Sequence, residues 1–196
     1  MSPENKASEE HPNPEKSPED VLVREISLED LDSLKLILEF WIKNPGTQET
    51  IHSEVDGVIE SIKDSLSGNG DKKFYVAVDT EGNVLGMMGY SEPSKDMAEY
   101  SQTDKSVEFI NAYVDAENRG QGVGKLLAKH LESEAKLLGY KEIIVNSGPR
   151  YQETGWAFWT RIYGSPIAVL KDYYGSGRDA PVWQKFIGLN KTSSDR

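Results

Sequence analysis

The stretch N-A-Y-V-D-A-E-N-R-G-Q-G-V-G-K-L-L-A-K-H-L-E-S-E-A-K-L-L-G, Asn111 to Gly139, decides the fold. It reads as the end of a strand, a turn, a glycine-rich loop and a helix. Val123, Leu126, Leu127, Leu131, Ala135 and Leu138 recur at helical spacing and make one apolar stripe. Lys125, Lys129, Glu132, Ser133 and Lys136 take the other face. Gly139 stops the helix, because only glycine enters the left-handed region freely. The start is unusual. Gly120, Gly122 and Gly124 alternate through the loop and first turn, where a helical glycine costs about 1 kcal/mol against alanine. Glycines there let a ligand come close to the backbone. The free N–H groups of a helix start, with the helix dipole behind them, favour an anion. Arg119 and Lys125 add positive charge, so composition and position both indicate a phosphate site.

Two common phosphate loops are excluded. A dinucleotide fingerprint needs glycine at 125, where the chain has Lys125. A Walker loop needs glycine at 119 and serine or threonine at 126, where it has Arg119 and Leu126. The pattern that fits is R/Q-x-x-G-x-G/A, filled by Arg119, Gly122 and Gly124 after a strand ending Tyr-Val-Asp. It resembles the coenzyme A loop of the GNAT superfamily of acyl-CoA N-acyltransferases. The alternative is a glycine-rich turn that only lets a helix pack tightly on a sheet.

Outward from this stretch, 196 residues suffice for one domain with a sizeable core. No apolar run is long enough to span a bilayer and no signal peptide is read at the start, so a cytoplasmic protein without membrane contact is the expectation. There is no cysteine, hence no disulfide, thiol nucleophile or cysteine metal site, and the three histidines lack ligand spacing. No metal is expected. The net charge is −11, of which residues 1–20 contribute −4. Such a balance suits a cationic partner such as an amine and opposes a nucleic-acid backbone, although an acidic surface kept for solubility explains it equally.

In chain order, residues 1–20 are polar and proline-rich and read as a disordered acidic tail. The folded domain is expected over 21–188, with 189–196 a polar tail. Val21–Ile26 reads as a strand, and Ser27 with Asp30 as a helix start. Two helices follow, one on Leu31, Leu34, Leu38 and Trp41, the other on Ile51, Val55, Val58, Ile59, Ile62 and Leu66. Phe74–Val78 and Val84–Tyr90 form a hairpin, with Gly86 and Gly89 suggesting close packing. Glu92–Lys105 reads as loop and Val107–Val114 as strand. Beyond the long helix come a buried strand Glu142–Asn146, a turn, a short aromatic helix Thr154–Ile162, and strands Pro166–Leu170 and Val182–Ile187. Pro181 is expected to keep the last strand's start off a central ladder.

The order β-α-α-β-β-β-α-β-α-β-β is the GNAT order and extends the resemblance over about residues 21–188. It implies an α/β fold: a single GNAT-like domain with a mixed, mostly antiparallel central sheet flanked by helices. The segment K-D-Y-Y-G-S-G-R-D-A-P-V-W-Q-K-F resembles the carboxy-terminal part of the branch that acetylates protein N-termini. The resemblance also implies that homodimers occur.

The implied reaction moves an acetyl group from acetyl-CoA, a cosubstrate, to a primary amine of a small molecule or peptide, by direct attack in a ternary complex. An amine with pKa near ~10 must first lose a proton. By resemblance, the backbone of Ala112, Tyr113 and Val114 pairs with the pantetheine arm, and the N–H of Val114 faces the oxyanion. N–H groups of Gly120, Gln121, Gly122, Val123, Gly124 and Lys125, beside Arg119, wrap the pyrophosphate. Glu108 aligns with a glutamate that serves as general base in some branches; read from its strand alone, it is equally a carboxylate on an exposed face. Where the family carries an acidic tyrosine, the chain has Trp159, whose indole does not usefully release its proton. Tyr173 or Tyr174 could substitute, or form only an aromatic wall, and Trp156, Phe158 and Trp159 read as core or acyl-pocket lining. A second class stays open beside the enzyme: a non-catalytic coenzyme A-binding module that recruits a protein partner.

Overall fold

A computed structural model of the protein describes residues 20–188. The tails expected at 1–20 and 189–196 lie outside these residues, apart from Asp20. Twelve elements follow one another: β1 (Leu22–Glu25), α1 (Leu31–Trp41), α2 (His52–Leu66), β2 (Lys73–Val78), β3 (Val84–Ser91), α3 (Lys95–Ala98), β4 (Ser106–Val114), α4 (Val123–Leu137), β5 (Glu142–Asn146), α5 (Ala157–Tyr163), β6 (Ala168–Leu170) and β7 (Ala180–Phe186). The strands form one seven-stranded sheet in the order β1-β2-β3-β4-β5-β7-β6. Every neighbouring pair is antiparallel except β4–β5.

Strand alternation divides the core into two layers. Tyr75 and Ala77 of β2 turn to the face covered by α4 and α5. Phe74, Val76 and Val78 turn to the face covered by α1 and α2. α4 contributes Val123, Leu127, Ala128, Leu131 and Ala135 to the first layer. A buried leucine or valine there is worth about 1.5–3 kcal/mol. The stripe lies slightly off the expected one: Ala128 joins it, while Leu138 is 61% exposed because the helix has already ended. Gly139, at φ +85°, turns the chain, and the Tyr140 N–H closes the helix on the Ala135 carbonyl at 2.9 Å.

At the other end of the chain, Ser27 and Asp30 form the expected capping box. It leads into a 3₁₀ turn before α1. Asp30 is also gripped by Arg24, at 2.7 and 2.8 Å. Burial pushes the Asp30 carboxyl up, but the bonds from Arg24 and Ser27 prevail and hold it below its usual value.

Two local expectations change. Residues 92–105 are not all loop: α3 forms there and buries Met97 against Ile144 and Val182. The aromatic helix opens with a π-helical turn, Gln152–Trp156, before α5. Strand β7 lies inside the sheet, between β5 and β6, and its start does stay off the inner ladder: Pro181 pairs only with Val169 of the edge strand β6, and pairing with β5 begins at Val182.

The close packing read from Gly86 and Gly89 is present. A Cβ at Gly86 would lie 2.7 Å from the Tyr113 carbonyl oxygen, and one at Gly89 would lie 2.5 Å from Phe74 Cδ1. Between these glycines the β3–β4 register shifts. Met87 faces Tyr113, but Gly89 faces Ile110, so β4 carries one extra residue. Asn111, at φ +50°, absorbs it as a β-bulge. β4 and β5 pair only from Ser106 to Glu108 and then part.

Candidate active site

The gap where β4 and β5 part is the centre of a cavity of about 850 Å³. The backbone prepares one wall. The Asp115 N–H bonds to the Leu85 carbonyl on β3, so by antiparallel alternation Tyr113 also bonds to β3 while Ala112 and Val114 turn their N–H and C=O groups to the gap. β5 no longer supplies partners there. The Val114 carbonyl is taken by the indole N–H of Trp41, at the end of α1, at 2.7 Å.

The glycine loop closes one end. The Asp115 carboxylate accepts from the Glu117 N–H and the Asn118 amide and shapes the turn into it. Gly120 and Gly122 have φ of +77° and +89°, and a Cβ on either would meet nothing within 4 Å. The conformation alone demands glycine at both, since there is room for a side chain, and Gly122 directly precedes the first residue of α4. Gly124 has a different reason: a Cβ there would come within 3.2 Å of the Phe158 ring of α5. This glycine permits helix packing, which is the alternative reading of the motif realised at one of its three positions.

Of the residues expected at the coenzyme, Ala112, Tyr113, Val114, Arg119, Gly120, Gly122, Val123, Gly124 and Lys125 line the cavity. Gln121 does not; its side chain turns back to the Glu117 carbonyl at 3.0 Å. The Arg119 guanidinium lies over the Trp41 ring, 5.2 Å from its centre. Trp159 is buried on the cavity wall beside Phe158 and Ile162.

Glu108 ends the paired part of β4 and is only 6% exposed, which removes the exposed-face reading. Its carboxylate accepts the Ser94 N–H at 2.9 Å and the Asn146 amide at 3.1 Å. Burial pushes this carboxyl above its usual range against the pull of Ser94 and Asn146. Tyr174 reaches the same place from the loop between β6 and β7. Its ring packs on Gly148, where a Cβ would lie 3.3 Å away, and its hydroxyl donates to Asn146 Oδ1 at 2.6 Å. The residue as a whole is 40% exposed, but desolvation of its phenol, then Tyr173 and Glu108, push that group above its usual pKa. Tyr173 stacks edge-on against Tyr174 and does not line the cavity.

Sequence reasoning missed Asn146, Trp41 and Tyr151. Asn146 carried one signal: a polar residue at the C-terminal end of a buried strand, directly after Ile143, Ile144 and Val145. Tyr151 shares a 3.3 Å hydroxyl contact with Tyr113, and Arg150 beside it is held by Glu54 of α2 at 2.8 and 3.2 Å. That pair joins the α2 side of the cavity to the turn after β5. Among the described residues, no group of three or more histidines, aspartates and glutamates could hold a metal ion, and no helix is long and apolar enough to cross a membrane.

The cavity thus joins a parted β4–β5 pair, a backbone edge and a glycine-rich helix start, the arrangement of one protein class, and the sequence comparison gives that class. The model of the acetyltransferase (GNAT) family matches residues 36–165, so the chain belongs to that family. Human N-acetyltransferase 8 is 31% identical over 116 residues, which is 59% of this chain and 48% of that protein. The chain thus spans about half the length of this curated relative. A GNAT-family protein from Desulfovibrio desulfuricans superposes with a TM-score of 0.69 at 19% identity, over 86% of this chain and 99% of that one. The PaiA N-acetyltransferase of Thermoplasma acidophilum, solved with coenzyme A, superposes with a TM-score of 0.60 at 18% identity, over 85% and 98%. At these identities the likeness concerns the fold.

Proposed function

We propose that the protein transfers an acetyl group from acetyl-CoA to a primary amine, by direct attack in a ternary complex. The observation that carries this reading is Glu108: a buried carboxylate, aimed into the cavity at the point where β4 leaves β5. The parted strands give the pantetheine arm an edge at Ala112 and at the Val114 N–H, the Val114 carbonyl being taken by Trp41. The loop from Arg119 to Lys125 offers N–H groups and positive charge to the pyrophosphate.

In this reading Glu108 takes the proton from the bound ammonium. Its raised pKa brings it toward the working range of a base. The N–H of Val114 faces the developing oxyanion, the role a preorganised backbone donor fills best. Tyr174, and not Tyr173, is the phenol near the departing sulfur. The acceptor enters between the α1–α2 side and the β6–β7 loop, past Tyr113, Tyr151 and Trp41.

The test is incubation with acetyl-CoA and a panel of amines comprising polyamines, an aminoglycoside, an amino-acid amide and peptides with free N-termini, read by mass spectrometry. Acetylation of any member at its nitrogen, lost in Glu108→Gln, is the expected result. Coenzyme A binding by calorimetry without transfer to any amine would favour the second reading, a coenzyme-binding module that recruits a protein partner, to which Trp159 points.

A further inference from the structure

Glu108, Asn146 and Tyr174 come from three elements and form one continuous hydrogen-bonded chain. Its direction follows from chemistry. An ionised carboxylate only accepts, so Asn146 must turn its NH₂ to Glu108 and its carbonyl oxygen to Tyr174. That carbonyl only accepts, so the Tyr174 hydroxyl must donate to it. The phenol hydrogen is therefore committed to Asn146, and the lone pairs of the phenol oxygen are left for the cavity. A protonated Glu108 reverses every link. The carboxylic acid donates to the amide oxygen, the amide turns over, its NH₂ points at the phenol oxygen, and the Tyr174 hydrogen is released into the cavity.

We propose that Asn146 is a positioning residue that couples the protonation of Glu108 to the direction of the Tyr174 O–H, so that Tyr174 accepts a hydrogen from the acceptor before proton transfer and donates one afterwards. This rests on Glu108 being the base of the proposed acetyl transfer. Before transfer, the ammonium lies between the Glu108 carboxylate and the Tyr174 oxygen. One N–H proton passes to Glu108, and the neutral amine attacks the thioester carbon. The C–S bond breaks as the C–N bond is completed, and the second proton released from nitrogen neutralises the thiolate. Tyr174, now turned, donates a hydrogen bond to the sulfur and keeps its own proton. Glu108 then returns its proton to solvent, and the chain resets.

The groups facing the chain are few. The Ser94 N–H holds the far carboxylate oxygen of Glu108 from the segment before α3. Ser91 lies opposite Glu108 on β3 and Ile144 on β5. Tyr173, Tyr151 and Arg150 are the titratable or charged neighbours of Tyr174 besides Glu108. The other carboxylates nearby are Glu153, on the cavity wall, and Glu54, which is paired with Arg150; neither bonds to the chain, so one titration should drive the switch.

The coupling can be read without any acceptor. In nuclear magnetic resonance of the full chain, the Asn146 side-chain amide and the Tyr174 ring Cζ should titrate together, with one midpoint above the ordinary glutamate pKa. In Glu108→Gln both signals should be flat. In Asn146→Leu, of similar volume, the Tyr174 signal should no longer follow Glu108; Asn146→Ser serves if the leucine variant does not fold. A Tyr174 signal that stays flat while Glu108 titrates in the wild type, or that still follows Glu108 in the Asn146 variant, overturns the proposal. With any amine of the panel that turns over, Asn146→Leu should lower kcat/KM about tenfold or more with coenzyme affinity kept. Adding Tyr174→Phe should cost little further, whereas losses that multiply would overturn the coupling. If no amine turns over, the acetyl-transfer reading fails, and the titrations still decide the coupling.

Discussion

The two ends of α4 allow the coenzyme loop to be tested against an internal control. Gly122 precedes the helix at φ +89° and Gly139 follows it at φ +85°, and a Cβ on either would meet nothing within 4 Å. Alanine at either position therefore carries the same burden, an L-residue in the left-handed region, of about 1–2 kcal/mol. In a domain of this size that lowers Tm by roughly 2–8 °C. The positions differ in what occupies the open space. At Gly139 it is solvent beyond the helix end. At Gly122 it is the cavity, where a methyl group would stand against the pyrophosphate and keep it from the N–H groups of the first turn. Gly122→Ala should thus weaken coenzyme A at least tenfold, about 1.4 kcal/mol, while Gly139→Ala leaves affinity unchanged at the same cost in Tm. Calorimetric titration with coenzyme A and a thermal melt of each variant supply the four numbers. Equal affinity in the two variants would refute the assignment of the loop, because strain alone would then account for Gly122.

Other outcomes follow from the site and its supports. Glu108→Gln should lower kcat by roughly 10²–10⁴ and leave coenzyme binding intact. Because the base must be ionised and burial raises its pKa, the acid limb of the wild-type kcat/KM profile should lie above the ordinary glutamate value of about 4.3; an acid limb at that value would contradict the burial. Tyr174→Phe should slow turnover sharply and Tyr173→Phe mildly in steady-state assays, since only Tyr174 lines the cavity. Asp30→Asn should cost about 1–3 kcal/mol in denaturant unfolding, toward the low end because Arg24 is 37% exposed and screened. Since the Asp30 pKa is lowered on folding, its contribution is complete above the unfolded value of about 3.9 and disappears as pH falls through the folded one. A melt of Asp30→Asn that matches the wild type near neutral pH would show that the pair contributes nothing.

Where the chain repeats itself locally, the sequence was readable. The spacing from Val123 to Ala135 and the stop at Gly139 set α4, the Ser27–Asp30 pair set the entry to α1, and both are local signals that tertiary contacts do not override. The glycine motif marked the loop but not its division of labour. Gly120 and Gly122 answer to backbone conformation, whereas Gly124 answers to Phe158, more than thirty residues away in sequence. α3 was invisible because a single turn leaves no period to detect. The interior place of β7 depends on which edge of β5 is free, which no local pattern encodes. In the site, Glu108 was visible as a carboxylate among apolar neighbours. Asn146 and Trp41 matter through partners on distant elements, and those partners are known only once the chain is folded.

The bulge at Asn111 acts as a change of phase within one strand. Val107 and Phe109 face the α4 layer, and unbroken alternation would send Tyr113 to the same side. Instead Tyr113 packs with the α1–α2 layer, and Val114 with the α4 layer. The strand is thus two half-strands of opposite parity, spliced by one residue. The first half carries the carboxylate, and the second carries the backbone edge. Deleting Asn111 alone would leave Ile110 opposite Gly89 and Tyr113 opposite Met87, so Ala112 would fall opposite Met88 and the ladder would run regular, with Tyr113 and Val114 on their present faces. What the deletion would remove is the local bend and added twist that a bulge gives its strand. That bend lies three residues beyond Glu108, the last residue of β4 paired with β5, where the two strands part. The extra residue thus re-aims the strand away from β5 while both of its halves stay in step with β3.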